Sequence, residues 1–256
     1  MITIRCFVIF FPLVFVCGFD QASAAPAGQL LNASGNVQAF SITDPARPIV
    51  AGAGIEPSMS IITGSNSSAF LKFHDRQSVV LQSNSLFRVR EYHYDPASAA
   101  AGLLAFELVK GGLHSVTGEI GESNREKWKL ITPSATITVR GTDFLVVIRQ
   151  GVYLQVESGE VVATNNAGTA VFRAGQTGFV LNEITLAAIS STFPSDVFAE
   201  LQAIPLTSGA GGAAIGVGGA TGIGGVGLGT TILVGATLAG AAAALSSGSG
   251  GSTTHH

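Results

Sequence analysis

The chain has 256 residues, of which 11% are charged and 46% hydrophobic, and its formal net charge is −3. It contains no basic cluster long enough to follow a phosphate backbone, which argues against a nucleic-acid-binding protein. Both cysteines, Cys6 and Cys17, lie in one apolar segment near the N-terminus. If that segment is removed, no cysteine remains for a disulfide or a thiolate metal site.

The first 24 residues have the pattern of a secretory signal peptide. Arg5 precedes an apolar run from Cys6 to Gly18, and Ala22-Ser23-Ala24 offers small residues at a cleavage site. The run is shorter than the about 20 apolar residues that span a bilayer. We therefore predict cleavage after Ala24 and an exported protein, located in the periplasm or elsewhere in the cell envelope. An uncleaved N-terminal anchor is the alternative.

Residues 35 to 181 form a series of short apolar or alternating segments separated by turn residues. Such segments at regular spacing, without helical periods between them, predict an all-β fold: an antiparallel sandwich, roll or barrel. The predicted strands are Gly35–Phe40, Ser60–Thr63, Ala69–Phe73, Ser78–Gln82, Leu86–Tyr92, Ala105–Val109, Trp128–Thr132, Ala135–Arg140, Phe144–Gln150, Val152–Ser158, Glu160–Asn165, Thr169–Arg173 and Thr177–Leu181.

One short helix is predicted after the strands, at Ser195–Ala203. Val197, Phe198 and Leu201 form one apolar stripe on it. Because an apolar stripe is buried in a stable fold, we expect it to lie against the end of the β-unit.

The segment from 132 to 148 changes its hydrophobic pattern in the middle. Residues 135–140 alternate between apolar and polar side chains, which predicts a half-buried strand. Residues 144–148 are apolar at every position, as in a strand covered on both faces. Gly141 at the switch predicts a bulge with a positive backbone angle φ. Arg140 and Asp143 flank this bend, and we expect them to pair across it.

The loop Gly118–Lys129 concentrates charge around the only tryptophan of the chain. Arg125, Lys127 and Trp128 are therefore candidates for a recognition surface, since binding residues are often found on loops. A solvated hairpin without a binding role is the alternative.

No pattern in the sequence indicates catalysis, so we expect no catalytic residue, cofactor or metal. The chain has neither a His-Glu-x-x-His nor a Gly-x-Ser-x-Gly motif. His74 and Asp75 are adjacent in a predicted turn, where a solvated polar pair is expected. Residues 222–227 match Gly-x-Gly-x-x-Gly, but no strand-to-helix unit surrounds them. A hydrolase would need acidic residues clustered in a pocket.

The C-terminal segment has an unusual composition. After Glu200 the chain has no Asp, Glu, Lys or Arg, and about half of its 33 glycines lie between Gly209 and Gly251. An uncharged stretch with small residues at four-residue spacing indicates a candidate membrane helix near residues 227–245. A flexible Gly/Ala tail is the alternative. Self-association through this segment is a further expectation.

The β-region resembles the FecR domain, an exported bacterial β-module. The resemblance extends over six segments in the family's order: Gly35–Val37, Ile61–Leu81, Glu107–Gly112, Thr132–Phe144, Tyr153–Val162 and Val171–Gln176. It implies structural roles, rather than catalytic ones, for the motif residues Pro133, Arg140, Gly141, Thr142, Asp143, Phe144, Gly159 and Gly175.

The resemblance and the composition together predict four parts of the chain. These are a signal peptide (1–24), a FecR-like β domain (25–183), a short helix and linker (184–208), and a Gly-rich tail (209–256). Namesake members of the family resemble relays with a cytoplasmic anti-sigma segment and a C-terminal αβ domain. Because this chain begins with a signal peptide and shows no αβ pattern after Leu181, we do not carry over direct control of a sigma factor.

Two functions fit these features. The first is a non-enzymatic sensing, binding or scaffolding module of the cell envelope, with an envelope protein or a cell-wall glycan as partner. The alternative is a structural or assembly protein that oligomerises, or inserts into a membrane, through its Gly-rich C-terminus.

Overall fold

The computed structural model describes residues 25–190, 194 and 196–206. Within these residues the fold is all-β, as predicted, with two short α-helices, α1 (Glu119–Ser123) and α2 (Ala199–Ala203). The strands are β1 (Gly28–Ser34), β2 (Val37–Phe40), β3 (Arg47–Pro48), β4 (Gly54–Ile55), β5 (Ser60–Thr63), β6 (Ser68–Phe73), β7 (Ser78–Leu81), β8 (Leu86–His93), β9 (Leu103–Val116), β10 (Trp128–Ile131), β11 (Thr136–Ile148), β12 (Val152–Asn165), β13 (Gly168–Arg173), β14 (Thr177–Val180) and β15 (Ala188–Ile189).

The strands belong to one sheet whose main path is β15-β14-β12-β11-β10-β9-β7-β6-β1-β4. A branch, β8-β5-β2-β3, leaves it at β9, and β13 pairs with β12. Among the described strands every pair is antiparallel except β9 with β10, which run parallel. This pair departs from the predicted antiparallel pattern because a helical excursion, not a hairpin turn, joins the two strands and returns the chain in the same direction.

Three long strands, β9, β11 and β12, carry the architecture. Each has a glycine with positive φ near its middle: Gly111 (83°), Gly141 (55°) and Gly159 (80°). The strands change neighbours or register at these points, and the β11–β12 register shifts between Arg140 and Asp143. The predicted bulge with a positive φ at Gly141 is therefore confirmed. It bends one continuous strand, so the strands predicted on either side of it are the two halves of β11.

Most of the buried apolar side chains belong to one hydrophobic core. A single cluster joins side chains from both ends of the sheet, from Leu30 on β1 to Val180 on β14. Phe106, Trp128 and Phe144 stack through its centre with edge-to-face contacts, their ring centroids 6.4 and 5.8 Å apart. Such aromatic contacts add stability beyond the apolar area that they bury.

Residues 144–148 are covered on both faces, as their pattern predicted. Phe144 and Val146 point into the main core, whereas Leu145 and Val147 pack against the stripe of Val197, Phe198 and Leu201. The predicted position of that stripe is confirmed.

The helix is shorter than predicted and carries only Leu201 of the stripe. It begins at Ala199 rather than Ser195, because residues 196–198 form a turn in which the Val197 N–H donates to the Pro194 carbonyl (3.1 Å). Arg149 and Asp196 pair at 2.9 Å and help to fasten this segment to the sheet.

Several sequence-based predictions lie outside the described residues. They are cleavage after Ala24, the Gly-rich tail and the candidate membrane helix near residues 227–245. In the part of the chain that the structure describes, no helix has the length and apolar character needed to cross a membrane.

Candidate recognition surface

The connection between β9 and β10 is a compact helical excursion and not a hairpin. It contains α1 and a 3-10 turn at Arg125–Lys127, and we call Gly118–Lys127 the recognition loop. Ile120 lies on the inner side of this loop and is fully buried in the core. Burial of this side chain favours a tight helical path over an extended hairpin, because a buried isoleucine contributes about 2 kcal/mol.

Trp128 directly follows the recognition loop and was predicted to be part of the recognition surface. That prediction is wrong, because Trp128 is fully buried between Phe106 and Phe144. Arg125 is half-buried and Lys127 is exposed. The tryptophan therefore anchors the loop, and the charged residues before it form the accessible surface.

A buried glutamine, Gln77, fastens both ends of the recognition loop. Its side-chain oxygen Oε1 accepts hydrogen bonds from the Gly118 N–H (3.0 Å) and from the indole Nε1–H of Trp128 (3.1 Å). Its Nε2 donates to the Ser115 hydroxyl (2.6 Å). Because all polar atoms of the amide have partners, its burial is compatible with a stable core. We call this set of contacts the anchor.

Asp75 supports the same region from the turn between β6 and β7. Its backbone carbonyl accepts from the Glu119 N–H (2.8 Å), and its carboxylate oxygen Oδ1 accepts from the Gln77 N–H (3.2 Å) and the Tyr92 hydroxyl (3.3 Å). Burial raises the pKa of Asp75, while these hydrogen bonds act in the opposite direction. The predicted solvated pair with His74 is therefore wrong: His74 is exposed, but Asp75 is fully buried.

Charged side chains surround the outer side of the recognition loop. Arg125 lies 3.3 Å from Glu160 on β12, and Arg173 on β13 lies 3.7 Å from the same carboxylate. Arg140 on β11 stands opposite Glu160 in the strand register. A groove of about 390 Å³ is lined by Glu122, Ser123, Asn124, Arg125, Glu126 and Arg140. The surface thus mixes both signs of charge, and its ion pairs are partly exposed and contribute at most about 1 kcal/mol each.

The bend next to this groove is formed by two facing glycines, Gly141 and Gly159. A Cβ atom at Gly159 would overlap the carbonyl oxygen of Gly141, whereas a Cβ at Gly141 would meet no atom within 4 Å. Behind the bend, the buried Thr142 donates its N–H to the Thr117 hydroxyl (2.8 Å). The bend thus directly follows Arg140, which lines the same groove as residues of the recognition loop.

The predicted pair between Arg140 and Asp143 is not present. Asp143 lies 2.6 Å from the His114 ring nitrogen Nε2 on β9. The reason is the bulge: the irregular residues between Arg140 and Asp143 turn the carboxylate towards β9, which pairs with β11 from Asp143 onward.

The remaining motif residues have structural positions. Pro133 is the second residue of the turn from Thr132 to Ala135, where a fixed φ near −65° is favourable, and the Thr132 N–H donates to the Ala135 carbonyl (3.0 Å). Gly175 has a φ of 78° between β13 and β14. Phe144 packs on Trp128. Among the described residues, no group of three or more His, Cys, Asp or Glu side chains is placed to hold a metal ion.

Comparison with known proteins relates part of the chain to one family. Residues 59–162 match the model of the FecR protein family. No curated protein matches the chain. Two crystal structures of a candidate anti-sigma factor from Parabacteroides distasonis ATCC 8503, at 1.65 and 2.50 Å resolution, are similar to it, each with 17% sequence identity and a TM-score of 0.45 over 56% of this chain.

The chain spans 65% and 64% of the length of those two structures. The family match includes the recognition loop, the anchor residue Gln77 and the bend at Gly141 and Gly159. Residues 59–162 are therefore similar to the FecR protein family.

Proposed function

We propose that the chain is a non-enzymatic sensing or binding module of the cell envelope, and that the recognition loop contacts its partner. FecR domains belong to regulatory proteins, so signal transduction is the class of function that the family supports. The particular role, location and partner are inferred from the residues of this chain.

The anchor is the observation on which this proposal depends. Gln77 holds Gly118 and Trp128 through one buried oxygen atom, so the two ends of the recognition loop are fixed to the core. A loop that is ordered before binding loses less conformational entropy when it meets a partner. The residues that it exposes, among them Glu126 and Lys127, are charged and accessible.

The mixed charge of this surface favours a protein partner over a neutral glycan. Arg125 and Arg173 pair with Glu160, and Arg140 stands opposite Glu160 in the strand register. Glu122 and Glu126 line the same groove as Arg125 and Arg140. Complementary patterns of charge select partners and fix their orientation. The signal-peptide pattern before residue 25 supports export, which would bring this surface into the periplasm or to the cell envelope.

Site-specific photocrosslinking in intact envelopes tests the proposal. A photoreactive amino acid is placed at Glu126 in the full chain and, as the control, at Val50, which is 72% exposed and lies outside the recognition loop. We expect one discrete adduct from position 126, none from position 50, and loss of the adduct when Arg125→Glu is added. Equal adducts from both positions, or none from position 126, would contradict a binding role of the loop.

A further inference from the structure

A second groove lies where β2, β5 and β8 run side by side. Phe40, Ser60 and Arg88 are partners across these strands. β5 begins at Ser60 and therefore does not extend beyond this point. Ser58, which precedes it, has a φ of 68° and is not part of the strand. β8 continues to His93. The resulting groove of about 380 Å³ is lined by Phe40, Ser41, Ile42, Ser58, Ser60, Arg88, Val89 and Arg90.

The far end of β8 has one open edge. Val89 still exchanges backbone hydrogen bonds with Ser58 (2.7 Å) and Met59 (2.9 Å). In the described part of the chain, residues 91–93 pair only with β9, Arg90 lies at an irregularity in that pairing, and Arg90, Glu91 and His93 are exposed. An open strand edge beside a groove is a template for the backbone of another segment.

The groove carries an excess of positive charge. The guanidinium groups of Arg88 and Arg90 both contact one carboxylate oxygen, Glu107 Oε2, at 3.3 and 2.9 Å. Two cations thus share one anion, and Arg90 is about half exposed. Asp44, Arg47 and Glu56 line a second depression, which shares Phe40 and Ser41 with this groove.

One wall of the groove presents an isoleucine to solvent. Ile42 is 98% exposed, although it lies on an ordered turn in which the Ser41 hydroxyl accepts from the Thr43 N–H (3.2 Å) and the Asp44 N–H (3.0 Å). A large apolar side chain on a fixed turn contributes more to binding than to folding, because folding leaves it in water.

We infer that this groove binds an acidic, extended peptide segment of a partner protein, which adds a strand to the open edge of β8. Alternate side chains of such a segment would place a carboxylate at Arg90 and an apolar group against Ile42 and Phe40. The open backbone edge favours a peptide over an anionic glycan, because only a peptide completes main-chain hydrogen bonds along a strand. The site is separate from the recognition loop.

The test uses the octapeptide Thr-Val-Thr-Asp-Thr-Val-Thr-Asp as the probe, whose valines and aspartates alternate on one face of an extended strand. It is titrated into the full chain and followed by amide NMR and calorimetry. We expect shifts at residues 90–93, about tenfold weaker binding with Arg90→Gln, and weaker binding with Ile42→Ser. The matched control Lys110→Gln, an exposed cation on β9 outside both the groove and the recognition loop, leaves binding unchanged. A thermal melt of each variant verifies that it is folded.

Two altered probes separate the elements of the inference. Replacing both aspartates by lysine should abolish binding, and N-methylation of both valines should weaken it by removing backbone donors. Equal binding of either altered probe, shifts confined to another sheet edge, tighter binding of a uronic-acid tetrasaccharide, or no binding at millimolar peptide would each overturn the inference. A failure here leaves the Glu126 adduct unaffected, so the two proposals are tested independently.

Discussion

The bend at Gly141 and Gly159 and the anchor at Gln77 position the same surface by opposite means. At Gly159 the backbones of β11 and β12 approach so closely that there is no room for a Cβ atom. At Gln77 the presence of polar atoms is essential, since one oxygen satisfies two buried donors. A surface loop can therefore be positioned either by a glycine that allows close backbone contact or by a buried polar side chain that makes hydrogen bonds. The two positions tolerate different substitutions.

The largest effect is expected from Gly159→Ala. The new methyl group would overlap the Gly141 carbonyl oxygen and the Thr142 side chain, and alanine would also have to adopt a φ of 80°. We expect a loss of at least about 3 kcal/mol of unfolding free energy, since backbone strain and overpacking act together. Urea denaturation of the full chain measures it. A cost below 1 kcal/mol would show that the two strands separate easily at the bend.

Gln77→Leu should cost nearly as much. It leaves the Gly118 N–H, the Trp128 indole N–H and the Ser115 hydroxyl without the amide, and each unsatisfied buried group costs about 1–3 kcal/mol. Trp128→Phe removes only one of these bonds and should cost less. Amide hydrogen exchange of the recognition loop, compared with the exposed control Lys127→Gln, distinguishes loosening of the loop from general destabilisation. Unchanged hydrogen-exchange protection of the loop in Gln77→Leu would show that Gln77 does not fasten it.

Gly141→Val should have an intermediate effect of about 1–3 kcal/mol, from backbone strain alone. A Cβ at this position meets no atom within 4 Å, so the cost comes from its φ of 55° and not from a clash. Gly141→Asn is the matched control, because asparagine tolerates the left-handed region. In thermal denaturation the parent and the asparagine variant should have similar melting temperatures, both well above that of the valine variant. Equal losses for asparagine and valine would mean that steric contact, not φ, limits this position.

The smallest expected effect is a change in pH dependence at Asp75. Burial raises the pKa of this carboxyl in the folded chain, so the folded state binds its proton more tightly than the unfolded state does. Stability is then greatest below the unfolded pKa of about 3.9 and falls as the pH rises through the folded pKa. Relative to Asp75→Asn, the parent should therefore lose stability between these two values and remain constant above them. Parallel stability curves for the two proteins would contradict a raised pKa.

Much of the sheet could be predicted from the sequence, because its strands are short and their side-chain alternation is local. The pattern of residues 135–148 predicted one half-buried segment, a bulge at Gly141 and one fully covered segment, and all three are present. β1 was missed because Gly28–Ser34 mixes apolar and polar residues without regular alternation. Its pairing with β6 depends on partners about 40 positions away.

The anchor could not be predicted, since its hydrogen bonds join residues far apart in the chain. Trp128 and Gln77 are 51 positions apart. One signal was available: Asp75 and Gln77 continue the inward parity of Leu71 and Phe73 through the turn, which places polar residues on the buried face. The turn residues around Asp75 nevertheless favour an exposed position, and this signal led to the wrong prediction. The Arg140–Asp143 pair failed for a similar reason, because a bulge shifts the parity of the residues that follow it.

Partner binding through the recognition loop is tested most directly by reversing its charge. The double variant Arg125→Glu/Lys127→Glu, in the full chain, is compared with the parent for the amount of crosslinked envelope protein that is recovered at equal expression. We expect recovery to fall at least about tenfold, a binding loss of roughly 1.4 kcal/mol, with an unchanged melting temperature. Undiminished recovery by a folded double variant would contradict the proposal that this loop is the binding surface.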